Sequence, residues 1–207
     1  MRHGQVRAAV VVNATGPWCD ELRRLEDPSA RPLLRRTRGV HVMVRRERLG
    51  HTAGITLTSP IDGRVMFVLP WGDFSYIGTT DTDEPGPPEA AAPAEADVHY
   101  LLRSANACFP QAHLTEEDVV SSWAGVRALL DSGDAGSASS VSREHIIRRG
   151  PGGMFTIAGG KLTTFRSMAA ELVDEVAAEL TRREGRPRPE PAPTDTEPLP
   201  GGEAADL

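Results

Sequence analysis

The chain has 207 residues, 39% hydrophobic and 25% charged, which fits a globular protein with one substantial core and excludes a disordered or fibrous one. Its formal net charge of -6 argues against a sequence-general nucleic-acid binder, which needs a basic surface to neutralise phosphates. Without an apolar run of about 18 residues or a charged-then-apolar leader, neither a membrane span nor a signal peptide is expected, and a cytoplasmic location is.

In chain order, residues 5–13 form a β-rich apolar run with almost no polar alternation. That predicts a strand covered on both faces of a sheet, with its neighbours lying outside this chain. Ala14-Thr15-Gly16-Pro17-Trp18 reads as a tight loop, and residues 19–25 as a short helix with Pro17 near its start. Residues 33–45 carry a second strand, with Val40, Val42 and Val44 on one face and His41 and Met43 on the other. Residues 64–70 and 74–79 flank Trp71-Gly72-Asp73 as an antiparallel hairpin. A Pro/Ala-rich loop at 84–93 leads to a helix over 94–109, carried by Val98, Leu101, Leu102, Ala105 and Phe109 and ended by Pro110. Residues 118–130 predict a strand running into a turn at Gly125, followed by a small-residue loop over 131–140. Two short strands, 144–148 and 154–158, are joined through Gly150-Pro151-Gly152-Gly153. A long helix then starts at Leu162, with Leu162, Phe165, Ala169, Leu172, Val173, Val176 and Leu180 on its apolar face. From Gly185 the composition turns Pro-rich and acidic, as in a linker.

Cys19 and Cys108 lack disulfide or zinc-ligand spacing and read as small core hydrophobes, and no metal-ligand cluster is evident. Arg31, Arg35, Arg36, Arg38, Arg45, Arg46 and Arg48 crowd one segment, as solvated strand edges that resist pairing or, in a second reading, as a contact for anionic lipid. Lys161 is the only lysine among 23 basic residues, in a composition that otherwise writes arginine. It follows Gly159-Gly160, where a backbone can approach a ligand closely, and precedes a helix whose first turn offers free N–H groups. Ordinary loop chemistry is the alternative account of the glycine pair.

Six segments in register carry a family resemblance. They are Val12-Asn13-Ala14-Thr15-Gly16-Pro17-Trp18, Arg38-Gly39-Val40-His41, residues 62–81, Ser122-Trp123-Ala124-Gly125-Val126-Arg127, Ser142-Arg143-Glu144-His145, and residues 159–169. Together they resemble the FAD-dependent glycerol-3-phosphate dehydrogenases of the D-amino-acid-oxidase-like flavoprotein superfamily. The resemblance implies an α/β fold of mixed α+β character: a partial FAD-binding Rossmann-like domain with an interleaved antiparallel-sheet substrate domain. On this basis 1–30 is expected to be the strand, loop and helix of a partial FAD-binding domain, and 31–130 the substrate-binding antiparallel sheet with one helix. Residues 131–183 would return to the FAD-binding domain and 184–207 form a linker or frayed tail. The family's G-x-G-x-x-G unit and helical C-terminal cap have no counterpart here, so the chain is expected to be an internal portion, inactive and without stoichiometric FAD as a fragment.

The resemblance further implies oxidation of glycerol 3-phosphate to dihydroxyacetone phosphate on FAD, with a quinone as electron acceptor and a peripheral contact with the inner face of the cell membrane through regions outside this chain. Arg127 and Arg143 match the family's substrate-binding arginines, whose forked donors suit phosphate oxygens. His41, in the substrate-facing strand, is the candidate for the base that takes the C2 hydroxyl proton, with a hydrogen-bonded core or substrate-orienting histidine as the other reading. His145 could orient Arg143, and Thr79-Thr80-Asp81 could support the substrate pocket or serve only to cap a turn. Ala14, Thr15, Gly16 and Trp18 would line FAD, as would Gly159, Gly160, Leu162, Thr163 and Thr164. Lys161 would add positive charge near flavin or substrate. An amine or amino-acid oxidase of the same superfamily and a non-catalytic remnant remain the rival readings.

Overall fold

The computed structural model describes residues 4–131, 144–185, 187, 189–198, 200 and 202. Its strands and α-helices are, in chain order, β1 (Val12–Asn13), α1 (Cys19–Glu26), β2 (Leu34–Arg45), β3 (Ile55–Thr58), β4 (Val65–Trp71), β5 (Phe74–Gly78), β6 (Thr82–Asp83), α2 (Glu95–Cys108), β7 (Val119–Leu130), β8 (His145–Arg149), β9 (Phe155–Gly159) and α3 (Phe165–Glu184). The chain divides into two compact units. Among the described residues, unit 1 comprises 4–35, 128–131 and those from 144 onward, and unit 2 comprises 36–127.

Unit 2 is built on β2. The side-chain period of two sends Val40, Val42 and Val44 to one face, where all three are fully buried. Burying each contributes about 1.5–3 kcal/mol. They pack with Met66 and Val68 of β4, Ile77 of β5, and Leu101, Leu102 and Ala105 of α2. Strand order is β3-β4-β5-β2-β6, with β7 also paired to β2. β2 is therefore interior to its sheet and not the solvated edge that its arginines suggested. Arg38 turns inward to Asp97 (2.9 Å) and Glu84 (3.2 Å), and Arg48 pairs with Asp118 (2.9 Å). The expected hairpin is present: Trp71 pairs with Phe74 around Gly72-Asp73, and Gly72, at φ +58°, supplies the positive dihedral that opens a two-residue turn. Asp97 also caps α2, accepting from the Ala94 N–H at 3.1 Å.

Unit 1 holds a three-stranded sheet, β1-β9-β8. β1 runs parallel to β9, and β8 runs antiparallel to it. Asp20, in the first turn of α1, accepts from the N–H groups of Leu33 and Leu34 at 3.0 and 3.1 Å and so fixes where β2 begins. Cys19, Leu33, Leu34 and Ala158 form the core of this unit. Glu179 of α3 is bound by Arg149 of β8 (2.5 Å), by Arg182 (2.7 Å) and by Arg183, which ties helix to sheet. α3 ends at Gly185 in the left-handed conformation, φ +63°.

Several expectations need correction. The run over 5–13 yields only two strand residues; one neighbour, β9, lies within the chain, and Val6, Val11 and Val12 are exposed in it. With two ladder positions on one side, this stretch has no second layer among the described residues to bury it. Strand β7 passes straight through Gly125 without a turn, because pairing with β2 overrides a lone glycine's preference. On α3 the buried line is Leu172 and Glu179, while Leu162, Phe165 and Val173 stay exposed. Cys19 is buried as expected, whereas Cys108 is exposed at the end of α2. Most of the loop expected over 131–140 falls outside the described residues.

Candidate functional site

In unit 2 the site lies on the face of β2 opposite the valine core. His41 projects there, with Gly78 of β5 as its cross-strand partner. A Cβ at Gly78 would overlap the imidazole Cδ2 and reach within 2.6 Å of Nε2, so glycine is the residue that admits the ring in this position. Trp123 of β7 stacks on the imidazole with centroids 5.4 Å apart and planes 13° from parallel. Tyr76 of β5 presents an edge at 6.0 Å and 70°. Burial among these rings, together with the positive charge of Arg127, pushes the His41 pKa below the ordinary value, which leaves the ring neutral and able to accept a proton.

Arg127, four residues after Trp123, lies against Gly39, where a Cβ would come within 2.6 Å of its Cζ. The guanidinium donates to the Thr80 carbonyl (3.2 Å), Asp81 Oδ1 (3.3 Å) and Thr79 Oγ1 (3.0 Å). The register explains this clamp. His41 faces Gly78 and Arg38 faces Thr82, so three steps along β2 match four along β5 and β6, and the extra residue makes a bulge over 79–81. Asp81, with only 7% of its side chain exposed, also binds Arg64 at 3.2 Å. One carboxylate thus serves two guanidiniums, and Arg64 also pairs with Asp62 at 3.5 Å. Thr79, Thr80 and Asp81 do more than cap a turn: they hold Arg127.

In unit 1 the sequence-predicted residues occupy the two segments that leave the C-terminal ends of β1 and β9. Asn13, fully buried, donates to the Cys19 carbonyl (2.9 Å) and accepts from the Thr15 hydroxyl (2.7 Å), which pins Ala14, Thr15, Gly16 and Trp18 in place. Gly16–Trp18 forms a 3-10 turn ahead of α1, and Gly16, at φ +56°, borders open space. After β9, Gly159 and Gly160 take φ of +79° and +81°. The space beside each α-carbon is filled by the chain itself, by Leu130 at 2.9 Å for Gly159 and by Met168 Cε at 2.5 Å for Gly160. Their need for glycine is therefore explained by internal packing and backbone conformation. Lys161, Leu162, Thr163 and Thr164 form an exposed turn that opens α3. Arg143 lies outside the described residues. His145 binds Glu171 of α3 at 2.8 Å.

Two features escaped the sequence reading. Trp123 stood within a quoted segment, yet no local signal linked it to His41. Glu95, His99 and Glu116 bring their ligand atoms within 4.8 Å of one another on the surface of unit 2, a grouping hidden by the distance of Glu116 from the helix in sequence. No helix among the described residues is long and apolar enough to cross a membrane.

The sequence pattern of the DAO family, FAD dependent oxidoreductase, matches residues 1–174. The aerobic glycerol-3-phosphate dehydrogenase of Staphylococcus haemolyticus (strain JCSC1435) is 38% identical over 176 residues, covering 85% of this chain and 31% of that protein. Its namesake from Staphylococcus aureus (strain USA300) is 36% identical over 180 residues, covering 87% and 32%. Among solved structures, the glycerol-3-phosphate dehydrogenase from Bacillus halodurans complexed with FAD superposes with a TM-score of 0.75 at 36% identity, covering 90% of this chain and 35% of that one. The chain thus spans about a third of the length of the relatives it matches.

Proposed function

The chain belongs to the DAO family of FAD-dependent oxidoreductases, and from that premise we propose that it is a portion of an enzyme oxidising sn-glycerol 3-phosphate to dihydroxyacetone phosphate. The residues of unit 1 fit the cofactor. Two segments leave the C-terminal ends of the parallel neighbours β1 and β9, where open α/β sheets receive ligands, and Gly16 borders unfilled space there. Ala14, Thr15, Gly16 and Trp18 would hold FAD on one side, and Gly159, Gly160, Leu162, Thr163 and Thr164 on the other. Bound FAD would supply the two-electron acceptor for the hydride that leaves substrate C2.

The chain's own residues do the rest. His41, neutral through burial, accepts the proton of the C2 hydroxyl as the hydride departs. Arg127, fixed by the 79–81 bulge, binds the phosphate, together with Arg143. Lys161 adds a compact positive charge at the exposed turn before α3. Electrons then pass to a quinone in respiratory glycerol catabolism, with the enzyme resting peripherally on the inner face of the cell membrane.

The observation that supports this reading most is the placement of the His41 imidazole and a clamped guanidinium on one face of one sheet. The test is anaerobic flavin reduction in a full-length polypeptide carrying this chain. Glycerol 3-phosphate is expected to reduce the flavin far faster than glycerol does. Reduction by amines or amino acids but not by glycerol 3-phosphate would transfer the protein to the amine-oxidising branch.

A further inference from the structure

A catalytic imidazole is ordinarily oriented through one ring nitrogen, bound to a carbonyl or carboxylate, while the other nitrogen works. His41 departs from that arrangement. Among the described residues neither of its ring nitrogens makes a hydrogen bond. It is bounded instead by Trp123 of β7, stacked at 5.4 Å and 13°, and by Gly78 and the edge of Tyr76 from β5. Gly78 leaves no room for the ring to swing toward β5, and Trp123 fixes its plane.

We propose that Trp123 is a positioning residue for His41, its indole setting the plane of the imidazole and leaving both ring nitrogens for the substrate. The proposal rests on the proposed function only in assigning His41 to the substrate. The stacking itself is a property of unit 2. Tyr76 cooperates, since its ring lies 6.2 Å from that of Trp123, and both rings border the imidazole. The charged and titratable groups facing the ring are Arg127 on β7 and Tyr76 on β5, with Asp81 behind Arg127. The lowered His41 pKa agrees with this setting, because burial is its largest cause and the Arg127 charge acts in the same direction.

The experiment compares the full chain with Trp123→Phe, Trp123→Leu and Trp123→Ala by nuclear magnetic resonance of the histidine Cε1–H, with His41→Gln assigning the signal. Trp123 is 40% exposed, so these substitutions should leave the fold intact, which circular dichroism checks. In the Phe variant the His41 signal and its titration midpoint should stay near wild type. In the Leu and Ala variants the indole's share of the ring-current shift should be lost, that of Tyr76 remaining, and the midpoint should rise toward the ordinary imidazole value of about 6.5. Wild-type titration in the Leu variant would show that apolar bulk suffices and would overturn the proposal. A midpoint that falls would overturn it too, because the indole would then be stabilising the imidazolium through its face. The measurement needs neither flavin nor substrate, so a failure of glycerol 3-phosphate to reduce the flavin is a separate result.

Discussion

Replacing Gly78 with alanine tests the geometry of the site with one methyl group. Its Cβ would overlap His41 Cδ2 and stand within 2.6 Å of Nε2, so the imidazole must leave its place. Moving the ring breaks the stack on Trp123, worth about 0.5–1.5 kcal/mol, and the forced repacking brings the total to about 1–3 kcal/mol. For a chain of this length that corresponds to a fall in Tm of about 2–12 °C, measured by thermal denaturation. The pH dependence should change as well. Because the folded-state pKa of His41 is lowered, the unfolded chain takes up a proton first, and wild-type stability declines as pH falls below about 6.5. With the ring displaced toward solvent, that decline should shrink. Unchanged Tm together with an unchanged pH profile would refute the account of Gly78 as the residue that admits the imidazole.

Arg127→Gln removes a cation that lowers the His41 pKa, so His41 should titrate higher, read by nuclear magnetic resonance of its ring protons. In the full-length enzyme the same change should raise KM for glycerol 3-phosphate roughly tenfold to a hundredfold, as expected for one charge-assisted contact, with little effect on glycerol. Glu179, whose carboxyl is held down to about 2 first by hydrogen bonding from Arg182 and then by Arg149 and Arg183, contributes stability present above its unfolded pKa and lost as pH falls from about 4.5 toward 2. Glu179→Gln should flatten the slope of Tm against pH in that window, measured by thermal melts. Lys161→Arg in the flavin-loaded full-length enzyme should lower kcat at least about tenfold with the flavin spectrum retained, since a planar guanidinium does not reproduce a compact ammonium; stopped-flow reduction measures it.

Much of unit 2 was legible because its signals are local. The alternation of Val40, Val42 and Val44 with His41 and Met43 fixes which residue faces the core, and Gly72 marks the hairpin turn. What escaped notice depends on pairing between distant segments. The partners of Arg127 are 46 to 48 residues away, and their clamp exists only because β5 and β6 meet β2 one residue out of step. Glycine offers the same contrast: at Gly125 its strand-breaking tendency yields to pairing, while at Gly159 and Gly160 a positive φ and the side chains beside each α-carbon require it. Of the apolar face expected for α3, Leu172 is buried and Leu162, Phe165 and Val173 are exposed, because periodicity identifies a stripe but not the layer that must cover it.

The pairing of Val12 with Phe155 also dictates an order of assembly. As the polypeptide leaves the ribosome, β1 emerges long before β9, so its pairing with Phe155 and Thr156 waits for most of this chain to be made. Residues 36–127, continuous and with their own core, are complete well before then. Closing the long loop between β1 and β9 carries an entropic cost that grows by only about 0.6 kcal/mol per doubling of length, and folding of the intervening stretch shortens the effective loop. The pairing of β1 with β9 is therefore expected as a late step, made after the intervening stretch has its own core.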